Sequence, residues 1–185
     1  MAGKKKKSTF SYIIIALVLS AVITLCLNPV MRLVYPLEYR ETIAENAKAR
    51  NLDEFLVMGI ISSESGFDKD AKSNKDAKGL MQLTEDTAKW CVEQLGAENG
   101  DISNPETNIA IGCIYLEYLI ERYKGNIQTA VAAYNAGPGN VDGWLGDIRY
   151  SDGKTTITNI PFTETRDYVK KVGKRTEIYR RIYGN

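Results

Sequence analysis

The chain contains no histidine in its 185 residues. That single absence excludes a Ser-His-Asp triad, a Cys-His nucleophile pair and any His-ligated zinc site. Cysteine is nearly as scarce, and three scattered thiols cannot fill a tetrahedral metal site alone. Chemistry must therefore rest on carboxylates, hydroxyls, amides or lysines. An excess of charge of one sign is also missing, with 24 basic against 23 acidic side chains. Five of the basic ones (Lys4, Lys5, Lys6, Lys7 and Arg32) lie within residues 1–37, which hold no acid, and this leaves 19 against 23 in the remainder. A mildly acidic body lacks the basic face of a dedicated nucleic-acid binder, so no nucleic-acid partner is expected. There is no internal repeat and no long low-complexity linker.

One long apolar run is present. Residues 10–27 hold only Ser11, Ser20 and Thr24 as polar side chains and no charge. At about 1.5 Å per helical residue this length approaches a hydrocarbon core of about 30 Å. The preceding lysines also suit the n-region of a cleaved secretory signal, but no small-x-small cleavage site follows, and an uncleaved signal anchor is the favoured expectation. Lysines 4–7 then stay in the cytoplasm and the chain after residue 30 lies outside, making a single-pass protein of the bacterial cell membrane. The predicted layout is a basic tail over 1–9, a span over 10–27, a connector over 28–38 and one domain over 39–185. Cys26 reads as a small apolar residue of the span. Cys91 and Cys113 could pair outside the membrane or remain two buried thiols.

The outer part reads as helices. A first is expected over 39–49. A second begins after the N-cap Asp53 and runs through Phe55, Leu56, Met58, Ile60 and Ile61 toward Glu64, with Gly66 as a left-handed terminator. Thr84 opens a third, ended by Gly96. In the fourth, Asn104 is the N-cap, Pro105 the first helical residue, and Ile109, Gly112, Cys113, Leu116, Leu119, Ile120 and Tyr123 form a buried stripe ahead of Gly125. A fifth covers 127–135, stopped by Gly137-Pro138-Gly139. The last, over 164–183, sets Tyr168, Val169, Val172, Tyr179 and Ile182 on one face. Residues 148–160 carry the sole strand-like text, a hairpin turning at Asp152-Gly153 or else a flexible loop. The whole is expected to be a compact all-α domain.

Glu64 ends an apolar helix before a glycine turn. A carboxyl emerging from apolar surroundings has its charged form disfavoured, so it can hold a proton near neutral pH. Alone, this is weak; a glutamate at a helix end is usually solvated. Read with its neighbours it gains weight: Glu64-Ser65-Gly66-Phe67, then Ser73, then Ala77-Lys78-Gly79-Leu80-Met81-Gln82-Leu83, then Ala133-Tyr134-Asn135-Ala136-Gly137-Pro138-Gly139, then Ile160-Pro161-Phe162 with Glu164-Thr165-Arg166-Asp167-Tyr168-Val169. This ordered series, over roughly 41–183, resembles the soluble lytic transglycosylase family, peptidoglycan-cleaving relatives of goose-type lysozyme.

The resemblance implies a lysozyme-like fold with a substrate cleft and a carbon-oxygen lyase acting on peptidoglycan glycan strands, with no metal or organic cofactor. It makes Glu64 the single catalytic acid and base. Ser73 would contact the sugar, its plain alternative being a turn serine. Met81 and Gln82 would line the cleft, where an amide both donates and accepts. Tyr134 would approach the catalytic carboxyl, with Asn135 beside it, and Glu164 and Tyr168 would stand on the opposite wall. The sequence departs from the family at Asp76, where glycine is usual, and at Thr84, where methionine commonly packs beside the sugar. A hydrolytic muramidase, a noncatalytic wall-binding module and a structural partner in an envelope assembly are the rival expectations. Oligomeric state is not legible.

Overall fold

The computed structural model describes residues 11–15, 17 and 30–184. The chain divides into two compact units, Met1–Pro36 and Leu37–Asn185. In the first, residues 11–15 and 17 are helical and residues 30–34 form a further helical turn, closed by Tyr35 N–H donating to Met31 O at 2.8 Å. Most of the span expected over 10–27, Cys26 included, lies outside the described residues. Among those described, no helix is long and apolar enough to cross a membrane.

The second unit is built from seven helices: α1 Arg40–Ala49, α2 Glu54–Glu64, α3 Glu85–Leu95, α4 Pro105–Arg122, α5 Ile127–Ala136, α6 Pro138–Leu145 and α7 Thr163–Tyr183. Three helix starts are capped as expected, and a fourth, at Asn126, is capped in the same way. The side chains of Asp53, Thr84, Asn104 and Asn126 accept from the backbone N–H of Phe55, Thr87, Thr107 and Thr129. Each such cap typically stabilises by about 1 kcal/mol. Gly96 takes φ 69° and closes α3.

Helix α2 is buried on every side from Leu56 to Ser63, as an all-round apolar helix must be. It lies against α7, and the two approach so closely that a Cβ on Gly59 would meet Thr176 Oγ1 at 2.4 Å. Helix α4 packs on α1, α3 and α5, and α5 in turn on α6 and α7. The stripe read from α4 is buried except for Ile120, but the face is wider than the stripe, since Asn108, Ile111 and Tyr115 are buried too. Cys91 and Cys113 are buried free thiols, and burial pushes them up to about 11 and about 12 respectively.

Two expectations gain detail. Gly137 ends α5 as expected, but a further helix follows at once. Gly137 turns the chain at φ 83° and Pro138 then starts α6, because its fixed φ and missing N–H suit a first helical residue. The hairpin over 148–160 reduces to one isolated bridge, Ser151 with Ile157. Ile148, the supposed first strand residue, is 90% exposed. The segment is a loop held by Asp152 Oδ1, which accepts from the backbone of Lys154 and Thr156, and by Thr129 Oγ1, which donates to Thr155 O at 2.8 Å.

Asn108 couples this core to the loop over 71–83. From inside α4 its Oδ1 accepts from Met81 N–H at 2.8 Å, while Nδ2 donates to Lys78 O at 2.9 Å and Ile102 O at 2.8 Å. Fully buried, it satisfies three backbone groups, two of them in the buried residues Met81 and Ile102. Asn108→Ala is therefore expected to lower unfolding stability by about 3 kcal/mol, read as a reduced urea midpoint at unchanged m-value. Asn108→Asp, which keeps the acceptor and loses the donors, should fall between the two.

Candidate active site

The C-terminal end of α2 leaves carbonyls with no partner inside the helix. Helix α7 supplies the partners. Lys171 Nζ donates to Ser63 O at 2.7 Å, and Arg175 Nη1 donates to Ser62 O and, at 2.7 Å, to Ser62 Oγ. These cations also complement the negative end of the helix dipole. Ser65 caps the helix from the other direction, its hydroxyl lying 2.9 Å from Leu80 O and accepting from Phe67 N–H at 3.1 Å. The chain then turns through two left-handed residues, Gly66 at φ 65° and Phe67 at φ 71°.

Glu64, the last residue of α2, is thus held between α7 and the loop over 71–83. Its Oε1 accepts from Tyr168 Oη at 2.6 Å. Burial is the dominant influence and raises its pKa above the ordinary carboxylate value. The Tyr168 hydrogen bond and the Lys171 charge act in the opposite direction, and the Glu164 carboxylate adds to the rise. A carboxyl with a raised pKa is what the sequence leads one to expect at this position; that its donor is Tyr168 is not.

A cleft of about 430 Å³ opens over Glu64. Ser73, Gln82, Tyr134, Asn135 and Glu164 line it together with Glu64, so six of the eight predicted site residues share one cavity. Several of their polar atoms are engaged in holding it open. Ser73 Oγ accepts from Lys75 and Ala77 N–H, both at 3.1 Å, which is the turn-serine reading. Gln82, at φ 49°, donates its amide to Ala71 O at 3.0 Å and Gly79 O at 2.9 Å. Tyr134 Oη donates to Met81 O at 2.9 Å. Asn135 Oδ1 accepts from Thr165 Oγ1 at 2.7 Å, tying α5 to α7. The phenols of Tyr134 and Tyr168 are both pushed well above the usual tyrosine range, first by burial and then by the nearby Glu64 carboxylate. Both remain protonated donors.

Two predicted residues are not on the cleft surface. The Met81 side chain is fully buried and packs on α4, where a Cβ on Gly112 would meet its sulfur at 2.3 Å. Only its backbone serves the site, through Asn108 and Tyr134. Tyr168 is 8% exposed and stands behind Glu64, not on an opposing wall. Both departures have one cause: motif order assigns residues to a site but not to the side from which they approach it.

The two family departures resolve simply. Asp76 takes φ 58°, the left-handed conformation that glycine would supply. Thr84 caps α3 and lines the cleft. Asp68 is an exposed residue whose carboxylate caps its own turn by accepting from Asp70 N–H at 2.9 Å. Sequence reasoning missed Lys171, Arg175, Asn108 and Tyr115. The spacing of Tyr168, Lys171 and Arg175 at three and four residues could have revealed one polar stripe on α7 aimed at the end of α2.

Residues 41–157 match the transglycosylase SLT domain family. The chain is 36% identical over 155 residues to a soluble lytic murein transglycosylase of Salmonella typhimurium, covering 81% of this chain and 24% of that relative. It is 32% identical to a membrane-bound lytic murein transglycosylase C of Yersinia pestis, covering 78% of this chain and 47% of the relative. Among solved structures, the 70 kDa soluble lytic transglycosylase of Escherichia coli superposes with a TM-score of 0.76 at 34% identity, over 84% of this chain and 26% of that one. The chain thus spans about a quarter of the length of the soluble relatives that it matches and about half of the membrane-bound one. With the helical architecture, the ordered motifs and the half-buried glutamate in place, these matches establish that the chain belongs to the transglycosylase SLT domain family.

Proposed function

We propose that this protein is a peptidoglycan lytic transglycosylase that cleaves the β-1,4 bond between N-acetylmuramic acid and N-acetylglucosamine, with Glu64 as its one acid and base. The observation that carries this reading is the half-buried Glu64 carboxyl, raised in pKa and opening on a cleft with room for a sugar strand. Protonated Glu64 gives its proton to the glycosidic oxygen as the bond to C1 breaks. Ionised, it then takes the proton of the muramyl C6 hydroxyl, whose oxygen attacks C1. The 1,6-anhydro ring forms and no water is consumed. The nucleophile is already tethered to the reacting centre, so a second carboxylate is not needed to recruit one.

In this reading Tyr168 positions Glu64 and steadies its ionised form, while Lys171 limits how far burial raises the pKa. Gln82, Tyr134 and Asn135 shape the cleft wall against the sugar, with Ser73 and Glu164 at its edge. Membrane attachment through residues 10–27 belongs to the same proposal. It is supported by the uncharged apolar run behind Lys4 to Lys7 and by the exposure of Tyr12, Ile13, Ile14, Ile15 and Leu17 on a helical segment. The catalytic domain over 39–185 would then face the cell wall from the outer side.

Glu164 favours one second reading. It shares the cleft with Glu64 and could activate a water, giving hydrolysis by two carboxylates. Mass spectrometry of fragments released from purified sacculi separates the two, since the anhydro product is lighter by one water than the hydrolytic one. Glu64→Gln is expected to cut release about 10³-fold while leaving glycan binding intact. Unchanged release by that variant would sink the assignment of Glu64.

The pH dependence has a definite sign. The acid must start protonated, so activity should persist above the ordinary carboxylate range and fall as pH rises through the raised pKa of Glu64. Lys171→Met removes a charge that lowers this pKa and should move the basic limb to higher pH. Stability follows the same linkage. Between the unfolded and folded pKa values the native state binds more protons, so wild-type stability declines with rising pH across that window. Glu64→Gln lacks this decline, and calorimetry should show its Tm advantage over wild type growing as pH rises through that window.

A further inference from the structure

Between Phe67 and Leu83 a lysine recurs at every third position, as Lys69, Lys72, Lys75 and Lys78. Lys69 pairs with Asp70 at 2.8 Å and Lys78 with Glu85 at 2.7 Å. Lys72 does not line the cleft over Glu64. Lys75 does, and among the described residues it is the one cation on that lining. Its exposed ammonium has neither an ion pair nor a hydrogen bond there. The turn that presents it is fixed. Lys75 and Ala77 N–H donate to Ser73 Oγ, both at 3.1 Å, Asp76 N–H donates to Ser73 O at 3.1 Å, and Ser73 N–H donates to Ala77 O at 3.0 Å. The amide donors of Gln82 are spent within the same wall, so Lys75 is the charged donor that this loop offers a ligand. Helix α7 contributes the opposite charge to the lining, the exposed carboxylate of Glu164. The charges that move the Glu64 pKa are those of Lys171 and Glu164, and Lys75 is not one of them. Tuning the acid is therefore not what Lys75 does.

We infer that Lys75 is a specificity residue, which binds a carboxylate of the stem peptide carried by the muramic acid in the cleft. An N-acetylated glycan strand is itself uncharged, and the lactyl group of each muramic acid is closed as an amide to its peptide. The negative charge of the substrate therefore sits on the stem. Ordering a long, flexible lysine is costly, and a charge-assisted bond to an anion offsets that cost where a bond to a neutral hydroxyl does not. Glu164 acts with Lys75 by repelling the same carboxylate from the α7 side, so the two charges give an acidic stem one favoured direction. Because the ammonium is exposed, the gain is that of an ion pair at a rim, which sets selectivity more than tightness. The inference rests on the glycan-cleaving reading and deepens it by naming the part of the substrate, beyond its sugars, that the site distinguishes.

The test compares kcat/KM of the full-length protein on two glycans of matched length, one bearing its stems and one stripped of them. Wild type should favour the stem-bearing strand, and Lys75→Met should lower that ratio about fivefold, through KM and not kcat. Lys75→Glu should lower it further, and Lys75→Arg, which keeps the charge, should preserve it. Blocking the stem carboxylates as amides should abolish the wild-type preference, and raising the ionic strength should shrink it. The basic limb of the pH profile should stay in place in Lys75→Met, unlike that of Lys171→Met. A ratio unmoved by Lys75→Met, a preference that survives amidation, or a displaced basic limb overturns the assignment, while cleavage by wild type leaves the catalytic reading intact. Inhibition by an anionic phosphodiester polymer that Lys75→Met relieves without changing the ratio overturns it too, since Lys75 would then serve a different wall polymer. Cleavage of neither glycan by wild type removes both readings.

Discussion

The structure depends on how the C-terminal end of α2 is buried. A helix that is apolar on every side must end inside the protein, and its last carbonyls must find donors there. Lys171 and Arg175 provide them from α7, and Tyr168 from the same helix meets the carboxyl that emerges. These contacts are possible because Gly59 and Thr176 let α2 and α7 nearly touch. Satisfying the helix end and dehydrating the acid are one arrangement.

The other wall of the site is a loop without regular structure, and it is rigid for a different reason. Its backbone groups are taken up by side chains that come from elsewhere: Asn108 from α4, Tyr134 from α5 and Ser65 from the end of α2. Left-handed residues at Asp76, Gly79 and Gln82 let it fold back on itself. The cleft is thereby lined by groups whose orientations are set before a ligand arrives, which lowers the ordering penalty on binding. Glu164 and Lys171 bias Glu64 in opposite directions, so its protonation is set by a balance around the dominant effect of burial.

Much of this was legible beforehand where the physics is local. Caps at Asp53, Thr84 and Asn104, the terminators Gly66 and Gly96, and the stripe of α4 depend on neighbours within a turn or two. The acid at position 64 was legible from its place at the end of an apolar helix only when read together with the ordered motifs that follow it. What was left open or misplaced depends on distant packing. Of the hairpin and the loop that residues 148–160 allowed, the loop is found, with one isolated bridge. Met81 lay in a motif but turned inward, because Gly112 leaves room for its sulfur.

Composition by itself confined any chemistry to carboxylates, hydroxyls, amides or lysines, because a chain without histidine lacks the side chain that ordinarily titrates near neutral pH. Local sequence decided where the helices begin and end, through hydrogen bonds spanning a few residues. Tertiary structure alone decided which groups surround Glu64. Tyr168 and Lys171 lie more than a hundred positions away in the chain, and only the α2–α7 packing sets them beside the acid.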